Sequence, residues 1–223
     1  MDTLPDPKQY VLENKPLLLT AALRDKPSIA TAVDNDGRTL LLWAVSQSNP
    51  EMVSILLKYP HDLALADEAG WTALHIAASV GSLAILDLIG AGSPLEATTN
   101  GGQTALQLAV SKQHAEFVDR LIDLGANVKS KDKAGKTALA RAAAVGSIPL
   151  VQRLLDAGAP IDATDNNGWT PLFEAVAEGN ASMVEYLIGR KASTTKVDKD
   201  DHTVAQVAPD LKFAKHVQSL ISS

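Results

Sequence analysis

Five histidines, His61, His75, His114, His202 and His216, are the imidazoles available for metal binding or base catalysis, and none lies close enough in sequence to another to suggest a ligand pair. The chain has no cysteine, which excludes disulfides, thiolate zinc sites, iron–sulfur clusters and a thiolate nucleophile. Ala134-Gly135-Lys136-Thr137 matches the end of a phosphate-binding loop, but Ser130 stands where that loop needs its first glycine. Gly90-Ala91-Gly92 opens like a dinucleotide fingerprint, with Leu95 at the third glycine position. Asn180-Ala181-Ser182 is a formal glycosylation sequon that reads better as a helix start. Acids such as Asp34 and Asp36 fit turns and caps, not a pocket of paired carboxylates. No enzyme activity, cofactor or metal is expected.

The elements carrying these residues are read from composition and period. Of 223 residues 46% are apolar and 4% aromatic, and 34 Ala with 30 Leu make a helix-forming vocabulary of small and large apolar side chains. Twenty basic and 26 acidic residues leave a net charge of −6, against the basic face a nucleic-acid binder needs. No apolar run approaches the roughly 18 residues of a membrane span. The first ten residues, MDTLPDPKQY, are unlike a signal peptide. A cysteine-free, anionic chain fits a cytoplasmic and nuclear location. Neither a nucleic acid nor a membrane is expected as partner, and a monomer is expected in isolation.

Thr39, Thr72, Thr104, Thr137, Thr170 and Thr203 are separated by 33, 32, 33, 33 and 33 residues. Two residues before the first five stand Gly37, Gly70, Gly102, Gly135 and Gly168. Five before each stand Asp34, Asp67, Thr99, Asp132, Asp165 and Asp198; five after each stands an alanine, from Ala44 to Ala208. Glycine permits the positive φ of a tight turn, threonine caps the helix that follows, and the small alanine lets neighbouring helices approach. Gly81, Gly146 and Gly179 mark where first helices stop, and Ser82, Ser147 and Asn180 are placed to cap the second ones. This D-x-x-G-x-T-x-L-x-x-A pattern resembles the ankyrin repeat.

That resemblance implies an all-α solenoid of about seven helix-turn-helix units with β-hairpin-like tips, forming a single domain over 1–223. The expected units are an N-terminal cap at 1–33, regular repeats at 34–66, 67–98, 99–131, 132–164 and 165–197, and a C-terminal cap at 198–223. The third unit has lost one residue from its second helix, so a change in helix length or exit is expected there. His75, in Thr-Ala-Leu-His, matches the family's structural histidine; Leu42 and Ala140 replace it in other repeats.

Without chemistry, function falls to a binding surface on the concave side, formed by tips and first helices. Its expected positions lie one residue before each threonine and three, four, seven and eight after it. These hold Arg38, Trp43, Trp71, Ser79, Ser111, Lys112, Arg141, Trp169, Phe173, Glu174 and Glu178. All three tryptophans fall in this set, and Trp and Arg are frequent anchors of interfaces.

The succession DNDGRTLLLWAVS at 34–46, GWTALHIAASVGS at 70–82, GKTALARAAAVGS at 135–147 and RKAST at 190–194 resembles the gankyrin family, in its fungal form, of proteasome regulatory-particle assembly chaperones. The resemblance implies a partner, the C-terminal domain of regulatory-particle ATPase subunit three, gripped in the concave groove so that premature docking on the core particle is hindered. It also implies that Arg38 and Lys112 meet acids on that partner. Another ankyrin adaptor, such as a kinase inhibitor or a transcription-factor retention protein, is the alternative, because fold alone does not fix function.

Overall fold

A computed structural model describes residues 6–222; the expectations for the first five residues lie outside this range. The chain runs through α1 (Pro7–Leu12) and α2 (Pro16–Asp25), then the helix pairs α3 (Leu40–Ser46) and α4 (Pro50–Leu56), α5 (Ala73–Val80) and α6 (Leu83–Ile89), α7 (Ala105–Ser111) and α8 (Ala115–Asp123), α9 (Ala138–Ala144) and α10 (Ile148–Asp156), and α11 (Pro171–Ala177) and α12 (Ala181–Gly189), ending on α13 (Leu211–Ser222). Each first helix packs on its own second helix and on the first helix of the next unit. The result is an all-α repeat solenoid. No helix is long and apolar enough to cross a membrane.

The threonine ladder starts the first helices. Thr39, Thr72, Thr104 and Thr137 occupy the N-cap, and each side chain accepts the backbone N–H three residues on. Thr170 sits at the same place without that bond. The alanine ladder is fully enclosed, with Ala44, Ala77, Ala109, Ala142 and Ala175 all at 0% exposure, so any larger side chain there would force the helices apart. Asn49 and Asn180 cap second helices. The hydroxyls of Ser82 and Ser147 stand at N-cap positions but make no capping bond.

The tips join into a ladder of their own. Backbone N–H groups of Glu68, Asn100, Lys133, Asn166 and Lys199 donate to the carbonyls of Asp36, Ala69, Gly101, Ala134 and Asn167 in the preceding tip, at 2.9–3.0 Å. This explains the glycine before each threonine twice over. Gly102 has φ 78°, and a Cβ there would lie 2.6 Å from the Lys133 nitrogen of the next tip. At the tip before α13 Asp201 takes the glycine position with φ 60°, and among the described residues no further tip packs on it.

Two irregularities have local causes. In the third unit α6 has seven residues, as α4 does, against nine in α8, α10 and α12, and it alone of these second helices exits through a tight 3-10 turn, at Gly90–Gly92. In the fourth and fifth units that exit uses a left-handed glycine, Gly125 or Gly158, and in the sixth a left-handed Lys191. The shortened helix still packs between α4 and α8, so the missing residue tightens a turn and leaves the stack intact. In the last unit the first helix shrinks to a 3-10 turn, Val204–Val207. Ala208 is extended because Pro209 disfavours a helical conformation in the residue before it.

Candidate protein-binding face

The tip aspartates organise the concave side. Asp34 Oδ1 accepts the backbone N–H groups of Asp36 and Arg38, and the same i+2 and i+4 pattern holds at Asp67, Asp165 and Asp198. The second oxygen is then met from one of two places. One is the residue four after the threonine of the same repeat: the Trp43 indole donates to Asp34 at 2.9 Å, and Arg141 pairs with Asp132. The other is the residue before the threonine of the preceding repeat: Arg38 Nε and Nη2 both reach Asp67 Oδ2 at 3.1 Å, and the Trp169 indole donates to Asp198 at 3.3 Å. Four residues foreseen as partner contacts, Arg38, Trp43, Arg141 and Trp169, are therefore already engaged within the chain. The offsets of 29 and 9 residues at which these pairs occur were present in the repeat frame and would have exposed them.

These bonds act on the carboxylates. The backbone N–H of Arg38, the Trp43 indole and Lys8 together hold Asp34 well below the usual carboxylate range. At Asp198 burial pushes the pKa up, but the amides of His202 and Asp200, with the His202 ring and the Trp169 indole, outweigh it and the net shift is downward.

The three tryptophans are half-buried. Lys8 Nζ lies 3.9 Å from the Trp43 ring centroid, with the Arg38 guanidinium 5.1 Å away on the same residue. Trp71 lies beside His75 and Trp169 beside Phe173, with ring centroids 6.4 and 6.1 Å apart. Trp43 and Trp169 bond to tip aspartates, and all three tryptophans keep part of their surface in solvent.

Two expected contact residues are corrected. Phe173 is 1% exposed and Glu174 5%. Position three after the threonine is enclosed in every regular repeat (Leu42, His75, Gln107, Ala140 and Phe173), and there His75 and Gln107 each bond to a carbonyl of the next unit. Glu174 lies 2.6 Å from Lys136 Nζ, an ion pair that ties the fifth tip to α11. Ser79 and Ser111 are half-buried; Ser111 Oγ donates to Gln107 O at 2.9 Å and accepts from Arg141 at 3.3 Å. In the amide orientation that satisfies both groups, Gln103 also accepts from Arg141, at 2.8 Å. Lys112 and Glu178 are exposed and form no ion pair among the described residues. They belong to a row with Gln47, Val80 and Val145, one side chain per repeat at position eight after the threonine.

His75 is a structural bridge. The Thr72 N–H donates to Nδ1 at 3.1 Å, so Nδ1 is unprotonated and Nε2–H donates to the carbonyls of Ala97 at 2.9 Å and Gln103 at 3.1 Å. Burial pushes its pKa down from 6.5. Gln107 repeats the arrangement with an amide: Oε1 accepts from Thr104 N, and Nε2 donates to the carbonyls of Ser130 and Lys136. Among the described residues one group with metal-ligand chemistry comes together, Asp198, Asp200 and His202, with ligand atoms within 4.8 Å. Its central carboxylate is committed to the turn amides, the Trp169 indole and His202.

The position-eight side chains thus form one open row along the described repeats. Among curated proteins the chain is 38% identical over 121 residues to "Probable 26S proteasome regulatory subunit p28" of Saccharomyces cerevisiae, covering 52% of this chain and 53% of that protein. It is 37% identical over 122 residues to an ankyrin repeat-containing protein of Schizosaccharomyces pombe, covering 52% of this chain and 49% of that one. The matches thus span about half the length of these relatives. The solved ankyrin repeat domain of Bcl-3 shares the fold, with a TM-score of 0.85 at 24% identity and full coverage of both chains. The family model for ankyrin repeats matches residues 10–93, 87–165, 106–201 and 141–223. From the period, the tip ladder and these matches together, the chain belongs to the ankyrin-repeat family.

Proposed function

We propose that this chain is a non-catalytic, protein-binding chaperone in assembly of the proteasome regulatory particle, holding the C-terminal domain of ATPase subunit three against its concave side and hindering premature core-particle docking. The observation that carries this is the similarity to the yeast proteasome regulatory subunit p28. The row of Gln47, Val80, Lys112, Val145 and Glu178, open along the inner face, supports it. Lys112 is the free cation of this row, and Glu178 its acid, so a partner segment carrying an acid opposite the fourth repeat and a base opposite the sixth is matched electrostatically. Trp71, Trp169 and Arg38 line the tip side of the same surface.

A pull-down with the purified ATPase C-terminal domain tests this. Capture is expected, and Lys112→Glu should weaken it about tenfold or more while leaving the fold intact, since Lys112 is exposed. Absence of capture, or capture indifferent to both Lys112→Glu and Glu178→Lys, overturns the proposal. Such a chaperone works in the cytoplasm and nucleus, where a fluorescent fusion should be found.

A further inference from the structure

Arg190-Lys191-Ala192-Ser193 follows directly on α12, which ends at Gly189. Arg190 is exposed, and its polar contact is a long ion pair with Asp156 at 3.5 Å. Lys191 is exposed, with its backbone in the left-handed region at φ 67°. Ser193 is held by its backbone: its N–H donates to Asp162 Oδ1 of the preceding unit at 2.8 Å. Its hydroxyl is left with a 3.4 Å contact to Thr195 Oγ1. The tether is a device of the fold, since Asn127 N–H donates in the same way to Glu96 Oε1 at 2.8 Å, again across 31 residues. At the corresponding places stand Asp62, Pro94, Asn127 and Pro160, so the hydroxyl beside two cations is particular to this unit.

We propose that Ser193 is a phosphorylation site for a serine/threonine kinase that reads cations three and two residues before the acceptor, and that the phosphate releases the tether to Asp162. In the transfer, Ser193 Oγ forms a bond to the γ-phosphorus of Mg-ATP, the bond from that phosphorus to the bridging oxygen of ADP breaks, and the hydroxyl proton passes to the kinase base. Ala192 is buried, Ser193 is half-buried, and the amides of Arg190, Lys191 and Ala192 are bonded to the end of α12, so the segment opens locally to enter the kinase cleft. The product carries about two negative charges beside the Asp162 carboxylate. Like charges at this distance repel, and the amide of Ser193 loses its acceptor. The acid that holds the loop in the unmodified chain expels it in the modified one.

The full chain is incubated with Mg-ATP and a purified Arg-directed kinase, the catalytic subunit of the cAMP-dependent kinase, as probe. Mass spectrometry should place one phosphate on Ser193, absent in Ser193→Ala and about tenfold slower to form in Arg190→Ala with Lys191→Ala, which lacks the charge-assisted contacts. Hydrogen exchange of the Ser193 amide should accelerate about tenfold or more in the phosphorylated chain, while the Thr72 amide stays protected. In Asp162→Asn, which keeps the acceptor oxygen and loses the charge, phosphorylation should accelerate that amide much less. No incorporation, incorporation at Thr194 or Thr195 instead, or an unchanged Ser193 exchange rate overturns the proposal.

Discussion

Replacing His75 separates hydrogen bonding from titration. In His75→Ala the Thr72 N–H loses its acceptor, and the carbonyls of Ala97 and Gln103 lose a donor. The two carbonyl bonds are worth about 1 kcal/mol each, and an unsatisfied buried N–H costs about another 1–2 kcal/mol, so the variant should lose about 3 kcal/mol. His75→Gln should lose under about 1 kcal/mol, because Gln107 already makes the equivalent three bonds one unit further on. The pH dependence has a definite sign. Burial lowers the folded pKa of His75 from 6.5, so below pH 6.5 the unfolded chain takes up the proton first. The wild type is therefore at full strength above pH 6.5 and loses stability, relative to His75→Gln, as pH falls from 6.5 through the folded pKa. Urea titrations of the three chains at pH 7.5 and at pH 5 measure both effects. Equal losses for the Gln and Ala variants at neutral pH, or a wild type that runs parallel to His75→Gln across this range, would refute the bridge with a neutral imidazole.

Gly102→Ala combines a left-handed backbone with a Cβ 2.6 Å from Lys133 N and should lower stability by about 2 kcal/mol or more in a denaturant titration, while Asp201→Gly at the last tip should be neutral or stabilising. Phe173→Ala, at a fully buried site, should cost about 3–5 kcal/mol; a loss under about 1 kcal/mol would return Phe173 to the surface. Arg141→Ala leaves the Asp132 carboxylate, itself almost fully enclosed, without its cation and should cost about 2 kcal/mol. Lys112→Glu should change stability by less than about 0.5 kcal/mol in the same assay, which separates a binding residue from a structural one.

Much of the site is shared with the fold, and this limited what could be foreseen. Arg38, Trp43, Trp71, Arg141 and Trp169 were legible as special because rare or charged residues stood at fixed places in the period. Their internal partners stood at constant offsets in the same frame, but the pairing of Arg38 with Asp67 and of Trp169 with Asp198, 29 residues apart, forms only once the units have stacked. Ser82 and Ser147 show the opposite limit: the residue type suits a cap, yet the hydroxyl makes no capping bond.

The sequence by itself determined the period and the order of helix and turn. Glycine's access to positive φ, threonine's capping oxygen, proline's effect on the residue before it and alanine's small volume are local properties, and they act wherever the residue stands. The division between contact and core was decided by tertiary structure. Phe173 and Glu174 occupy positions that a single helix would leave open, and the rotation from one unit to the next encloses them, setting Lys136 of the preceding unit against Glu174. The same rotation leaves Lys112 and Glu178 in the open row, because exposure in a solenoid depends on where the neighbouring unit lands.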